Sequence, residues 1–207
     1  MGCLSNILPL VLLISINRAE TEIQNRRLTC GADQSHTLCL PDVGNACQVN
    51  NDYLVNIGLS SKEQNEMVDL HNKYRADIAE GKVSGLPPAS NMQKMSWNED
   101  LAQVAQKWAD QCLFDHDTGD ARKTPQFEHV GQNIYLQKIS KKVPGIKVKK
   151  AVKKWFGEVQ DFDEHQISPF EFTYDTGHFS QLVWAETSEV LLKIKINHKF
   201  PNLLVKM

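Results

Sequence analysis

Apolar and polar positions recur along this chain with clear periods, and those periods outline its elements. Met67, Leu70, Tyr74 and Ile78 follow helical spacing. Ser60 and Glu63 form a Ser-x-x-Glu capping box ahead of them, and Gly81 is a natural stop, which predicts a first helix. Gly85-Leu86-Pro87-Pro88 cannot continue a helix. Leu101, Val104, Ala105, Trp108 and Cys112 then make a second apolar stripe, with Ser96 and Glu99 offering another capping box. Val130 to Leu136 reads as a strand, with Gln132 on the same face as Ile134. Val152, Trp155, Phe156 and Val159 make a short amphipathic helix. Leu182, Val183 and Trp184 form an apolar run bounded by Gly177 upstream and by polar residues downstream. That run reads as a short, largely buried strand with His178 at its entrance. Leu192, Ile194 and Ile196 alternate with lysines, as in a half-buried strand.

The remaining features change this picture in two places. Residues 7–16 are an apolar run too short to span a bilayer comfortably, and at this position it reads as the core of a signal peptide with Ala19 at the cleavage position. Residues 1–19 are therefore expected to be the signal and 20–58 a loop-rich extension. The main domain is expected at 59–190, with 191–207 as a tail. Without Cys3, the cysteines are Cys30, Cys39, Cys47 and Cys112, an even number in an exported chain, which predicts two disulfides with three pairings open. A length of 207 residues suits one domain with a full core. The net charge of −2 argues against nucleic acid as the main partner. Many lysines lie between Lys138 and Lys154, a composition that can meet acidic lipid or sulfated glycans. The acidic stretch Glu158 to Glu164 follows at once, so a solvated face is the expectation.

Gly177-His178-Phe179-Ser180-Gln181-Leu182-Val183-Trp184 resembles the signature of the superfamily of cysteine-rich secretory proteins, antigen 5 and plant pathogenesis-related proteins. His71-Asn72-Lys73-Tyr74-Arg75, Met95-Ser96-Trp97-Asn98, Trp108-Ala109-Asp110-Gln111-Cys112 and Gly131-Gln132-Asn133-Ile134 match its other blocks in order. His36-Thr37-Leu38-Cys39 and His116-Asp117-Thr118-Gly119 are similar to the insect antigen 5 branch of venom and salivary allergens. The resemblance implies an α+β fold, a three-layer α-β-α sandwich around a small antiparallel sheet. It favours Cys30–Cys39 and Cys47–Cys112 as the disulfides, and assigns His71 and Arg75 to structure. After Val190 it stops. An alternative exon, a retained intron or a frameshift accounts for such a break, and the expectation is a domain short of one core strand with an open sheet edge. A surrogate strand from the tail is the alternative.

For chemistry, the resemblance places two histidines and two acidic residues in a central cleft. The matching positions here are His116, Glu158 and His178, with Gln132 where the family normally has Glu. Gln cannot ionise, so it is neither a general base nor an anionic metal ligand. Two imidazoles and one carboxylate suit zinc or another divalent ion at His116 and His178, with Glu158 as a water or outer partner. Hydrolysis would require Glu158 as the base. Ser180 with His178 is a weaker, nucleophile reading, since no strained turn or oxyanion donor is recognisable. The function implied is that of a secreted antigen 5-like venom or salivary protein. It would act by binding a small lipid or sterol, or a host protein, without stable membrane insertion. The alternative is a metal-dependent hydrolase.

Overall fold

The computed structural model describes residues 30–31, 34–42, 59–111, 113–138, 148–190, 193–196 and 202–206. The signal-peptide reading and the Cys47–Cys112 bond lie outside the described residues. Cys30 and Cys39 are disulfide-bonded, with Cα atoms 5.4 Å apart.

Helix α1 spans Ser61–Ala79 and starts as its sequence requires. Ser60 Oγ accepts from Glu63 N while Glu63 Oε2 accepts from Ser60 N at 2.9 Å, so both halves of the capping box form. The chain leaves α1 through Gly81 at φ +68°, a left-handed conformation that suits glycine. Helix α2 spans Glu99–Asp110, but its cap is Asn98, whose Oδ1 accepts from Leu101 N at 2.8 Å. Ser96 instead pairs in strand β1 (Ser96–Trp97), parallel to β3 (Glu189–Val190), so the expected second box does not form. Asn is as good an N-cap as Ser, and strand pairing takes Ser96 away. Helix α3 spans Val148–Gly157 and buries Val148, Ala151, Val152 and Trp155, one full apolar face.

The segment read as a buried strand at 182–184 is not one. Gly177–Leu182 forms a short helix, α4, burying Phe179, Ser180 and Leu182. A three-residue apolar run is too short to separate strand from helix. What decides the matter is where the backbone oxygens go. Arg75, only 1% exposed, donates to the carbonyls of Leu182, Trp184, Ala185 and Thr187, and also to Gln93. A guanidinium with its fork of donors thus takes the place of a neighbouring strand.

The main sheet is antiparallel with order β2-β5-β4, from Ile134–Lys138, Asn202–Lys206 and Lys193–Ile196. The tail therefore supplies its central strand: Leu204 pairs with both Leu136 and Lys195. The missing-strand expectation gives way to the surrogate. Strand β2 begins at Ile134, four residues later than its apolar pattern suggested. Ile134 and Tyr135 point to opposite faces, yet both are buried, so both faces of the sheet are covered at this end. Tyr135 joins the α1–α3 core with Met67, Val152 and Trp155, while α2 lies against β4 and β5.

His71 is fully buried, with its Nδ1 2.8 Å from the Met67 carbonyl. Burial, more than the nearby Arg75 charge, lowers its pKa from 6.5 to about 4. The folded value lies below the unfolded one, so this contribution is complete above pH 6.5 and is lost as pH falls towards 4. The expected loss is on the order of 3 kcal/mol, read as a falling urea midpoint that His71→Gln flattens in this window.

Candidate functional site

Gln132 and Asn133, just ahead of β2, bring the two candidate histidines to adjacent residues. Gln132 Oε1 is 2.6 Å from His116 Nδ1, and Asn133 Nδ2 donates to the His178 carbonyl at 2.8 Å. Each imidazole is then fixed from its Nδ1 side. The Gln132 amide nitrogen donates to Asp117 Oδ1 at 2.9 Å, so its oxygen is left to accept from His116 Nδ1. Asp117 is itself buried and held by Arg122 at 2.7 Å and by the Thr37 hydroxyl at 2.5 Å. Thr37 belongs to the turn closed by the Cys30–Cys39 bond, and His36 beside it reaches the Lys123 carbonyl at 2.6 Å. The disulfide-tied turn thus buttresses the His116 side.

On the other side, His178 Nδ1 donates to Glu158 Oε1 at 2.8 Å, and Phe179 N donates to Glu158 Oε2 at 3.0 Å. Both carboxylate oxygens are occupied. The His178 ring lies nearly parallel to the buried Trp155 indole, 11° between planes with centroids 6.2 Å apart. Gln132 is therefore more than a lost acid. It donates to one partner and accepts from the other, and a carboxyl group there would have to be protonated to do both.

Each Nδ1–H···O bond leaves Nε2 as the lone-pair nitrogen, the form in which histidine binds metals. His116 is exposed and His178 half-buried. The donor count is the limit: among the described residues, no group of three or more His, Cys, Asp or Glu is arranged to hold a metal ion. What the geometry leaves is two imidazoles with Nε2 free of these bonds, and Glu158 as the partner of His178 Nδ1. Ser180 does not join them. Two residues apart on a helix are about 200° apart around its axis, and the buried Ser180 hydroxyl donates to Thr176 O at 2.9 Å. The same-face pairing with His178 required the strand that is not there.

A separate apolar cavity of about 480 Å³ opens beside α4. Ile78, Leu86, Pro87, Phe162, Phe179 and Val183 line it, with Ser90, Asn91, Ser180 and Glu186 as polar points. No Lys, Arg or His is among its described lining residues. Ile167, Phe170 and Trp184, each more than 40% exposed, stand at its edge, and Phe170 meets Trp184 edge-on at 4.9 Å. The resemblance implied a lipid or sterol site, but no local pattern picked out these walls, which come from the end of α1, a proline loop and residues 162–186. Asp117, Asn133 and Trp155 were also missed as partners of the histidines. Asp117, beside His116, and Asn133, beside Gln132, each carried a local signal, since each lies next to a site position in its own block.

Residues 68–190 match the cysteine-rich secretory protein family (CAP). The chain is 43% identical over 136 residues to venom allergen 5 of Tityus serrulatus, covering 64% of this chain and 32% of that protein. It is 35% identical over 169 residues to venom allergen 5 of Microctonus hyperodae, covering 77% of this chain and 70% of that one. The chain thus spans about a third of the length of the scorpion relative and most of the other. Among solved structures, venom allergen-like protein 4 of Schistosoma mansoni superposes with a TM-score of 0.57 at 26% identity, covering 72% of this chain and 87% of that one. NaASP2 with Zn2+ superposes with a TM-score of 0.58 at 23% identity, covering 72% and 79%, and so shares the fold. With more than half of its length matched, and with an α+β fold like theirs, the chain belongs to the cysteine-rich secretory protein family as a venom allergen 5-like member.

Proposed function

We propose that this venom allergen-like chain acts by binding, and that its ligand is an uncharged lipid of the sterol type held in the cavity beside α4. The cavity carries this reading. Its volume of about 480 Å³ is within the usual range for small-molecule sites, and its walls are mainly apolar with a few hydroxyl, amide and carboxylate groups. A fatty-acid carboxylate would meet Glu186 and no cation there, whereas a single hydroxyl finds partners in Ser90, Asn91 or Ser180. The Cys30–Cys39 bond supports an exported protein working in an oxidising compartment. No described helix is long and apolar enough to cross a membrane. The test is titration of lipid-free protein with a fluorescent sterol. Binding that falls on the order of tenfold or more in Ala89→Trp, which fills the cavity from a loop, is the expected result. Failure of the native protein to bind, or unchanged binding in the variant, overturns it.

A second reading, divalent-metal binding by His116 and His178, is supported by the matched Nδ1–H tautomers. When bound, zinc would supply Lewis acidity and a site for water. Zinc content measured after dialysis is expected to drop to background in His116→Ala/His178→Ala, and unchanged content removes the site. In this reading Glu158 orients His178 through Nδ1 and takes the Phe179 N–H, and no base role is assigned to it.

A further inference from the structure

Helix α3 carries four lysines, and the fold turns all of them outward. Its Val148, Ala151, Val152 and Trp155 enter the core, while Lys149, Lys150, Lys153 and Lys154 are exposed on the opposite side. They form two i, i+4 pairs, 149 with 153 and 150 with 154, roughly 6 Å apart along the axis. Like charges at that spacing repel one another, so the arrangement costs stability unless a counter-charge covers it. No acidic residue lies within α3.

The acidic stretch that follows does not cover it. Glu158 turns into the cleft, to His178 Nδ1 and Phe179 N. Asp163 accepts from His165 N at the start of the next turn. Among the described residues one ion pair reaches the lysine face, Lys149 to Glu66 at 3.5 Å. The Lys154 ammonium lies 5.9 Å from the Tyr135 ring centre, which does not neutralise it. Four cations with one paired carboxylate therefore stand on a chain whose net charge is −2.

We propose that this face binds a sulfated glycosaminoglycan chain. Closely spaced sulfates along a flexible polymer complement two rows of compact ammonium charges, and releasing the polymer's counterions drives the association. An anionic bilayer is the competing surface. At such a surface only charge would hold the face, because the apolar face that could sink among the lipids and add to it is already spent in the protein core. The glycan needs charge alone, which is what the face presents.

The experiment uses the full chain with its disulfides intact, and heparin as the probe. Retention on immobilised heparin at low salt is expected despite the negative net charge, with log affinity falling linearly against log salt. Lys150→Gln/Lys153→Gln keeps helix propensity nearly constant. It should lower the salt slope by about two and weaken binding on the order of tenfold near 0.1 M salt. The exposed Lys94, outside α3, serves as control, and Lys94→Gln should bind as the native chain does. Desulfated heparin, which needs no variant, should not be retained. The proposal is overturned if the native chain flows through at low salt, or if the double variant elutes with it. Equal binding to phosphatidylserine vesicles and to heparin overturns the choice of a glycan.

Discussion

Arg75→Met is expected to lower the free energy of unfolding by about 3–5 kcal/mol, a large share of what a domain of this size has. The side chain's five N–H groups reach five carbonyls, those of Gln93, Leu182, Trp184, Ala185 and Thr187, with the three contacts of Nη2 sharing its two hydrogens. It is 1% exposed, and burial lowers its pKa from 12.5 to about 10, which leaves it charged at neutral pH. Removing it strands those oxygens where little water reaches them. It also frees residues 182–187, of which 183–186 form one wall of the apolar cavity. Arg75→Lys should recover only part of the loss, because three donors on one nitrogen cannot span the carbonyls that a planar fork reaches. Urea denaturation of the three proteins measures this directly. A loss below about 1 kcal/mol for the Met variant would mean that the segment holds its shape without the clamp.

The second large effect is at Trp155. It is 1% exposed, lies in the core with Met67, Tyr135 and Val152, and backs the His178 ring. Trp155→Ala should cost about 3–5 kcal/mol through lost burial and the cavity left behind. Trp155→Phe should cost about 1 kcal/mol, because the lost volume is partly offset. The offset comes from the indole Nε1, which has no acceptor among the described residues, so Phe removes a buried donor that is unsatisfied. A loss well above about 1 kcal/mol for Trp155→Phe would show that the N–H is satisfied after all. In the Ala variant the nitrogen shifts of His178 should also move, since its stacking partner is gone.

Much of the helical framework was legible along the chain. Helices α1 and α3 carry a local cap or a full apolar stripe, and both form close to where those signals place them. Helix α4 was misread because Leu182-Val183-Trp184 offers three apolar residues and no length. The residue that settles its shape, Arg75, lies more than 100 positions away in sequence. The tail was misjudged for a similar reason. Leu203-Leu204-Val205 shows no alternation from which a half-buried strand could be read, and nothing local names the strands that pair with it on both edges.

At the site, His116, Gln132, Glu158 and His178 were identifiable as residue types in family blocks. Their pairing was not. Which nitrogen of each ring is free depends on Gln132 bridging Asp117 to His116, and on Glu158 turning back to α4. The acidic stretch also looked like a counterweight to the α3 lysines, and the fold sends Glu158 elsewhere.

The sequence by itself determined the family, the cap of the first helix and the apolar stripes of the next two, the Cys30–Cys39 bond implied by its blocks, and the chemical types available in the cleft. Those are properties of near neighbours along the chain: caps, periods and short motifs act within a few residues. Only the tertiary structure decided the helix at 177–182, the central place of the tail strand, the histidine tautomers, the apolar cavity and a lysine face with one ion pair among the described residues. Each of those depends on which distant group satisfies a buried polar atom or covers a surface, and that is set by packing in three dimensions.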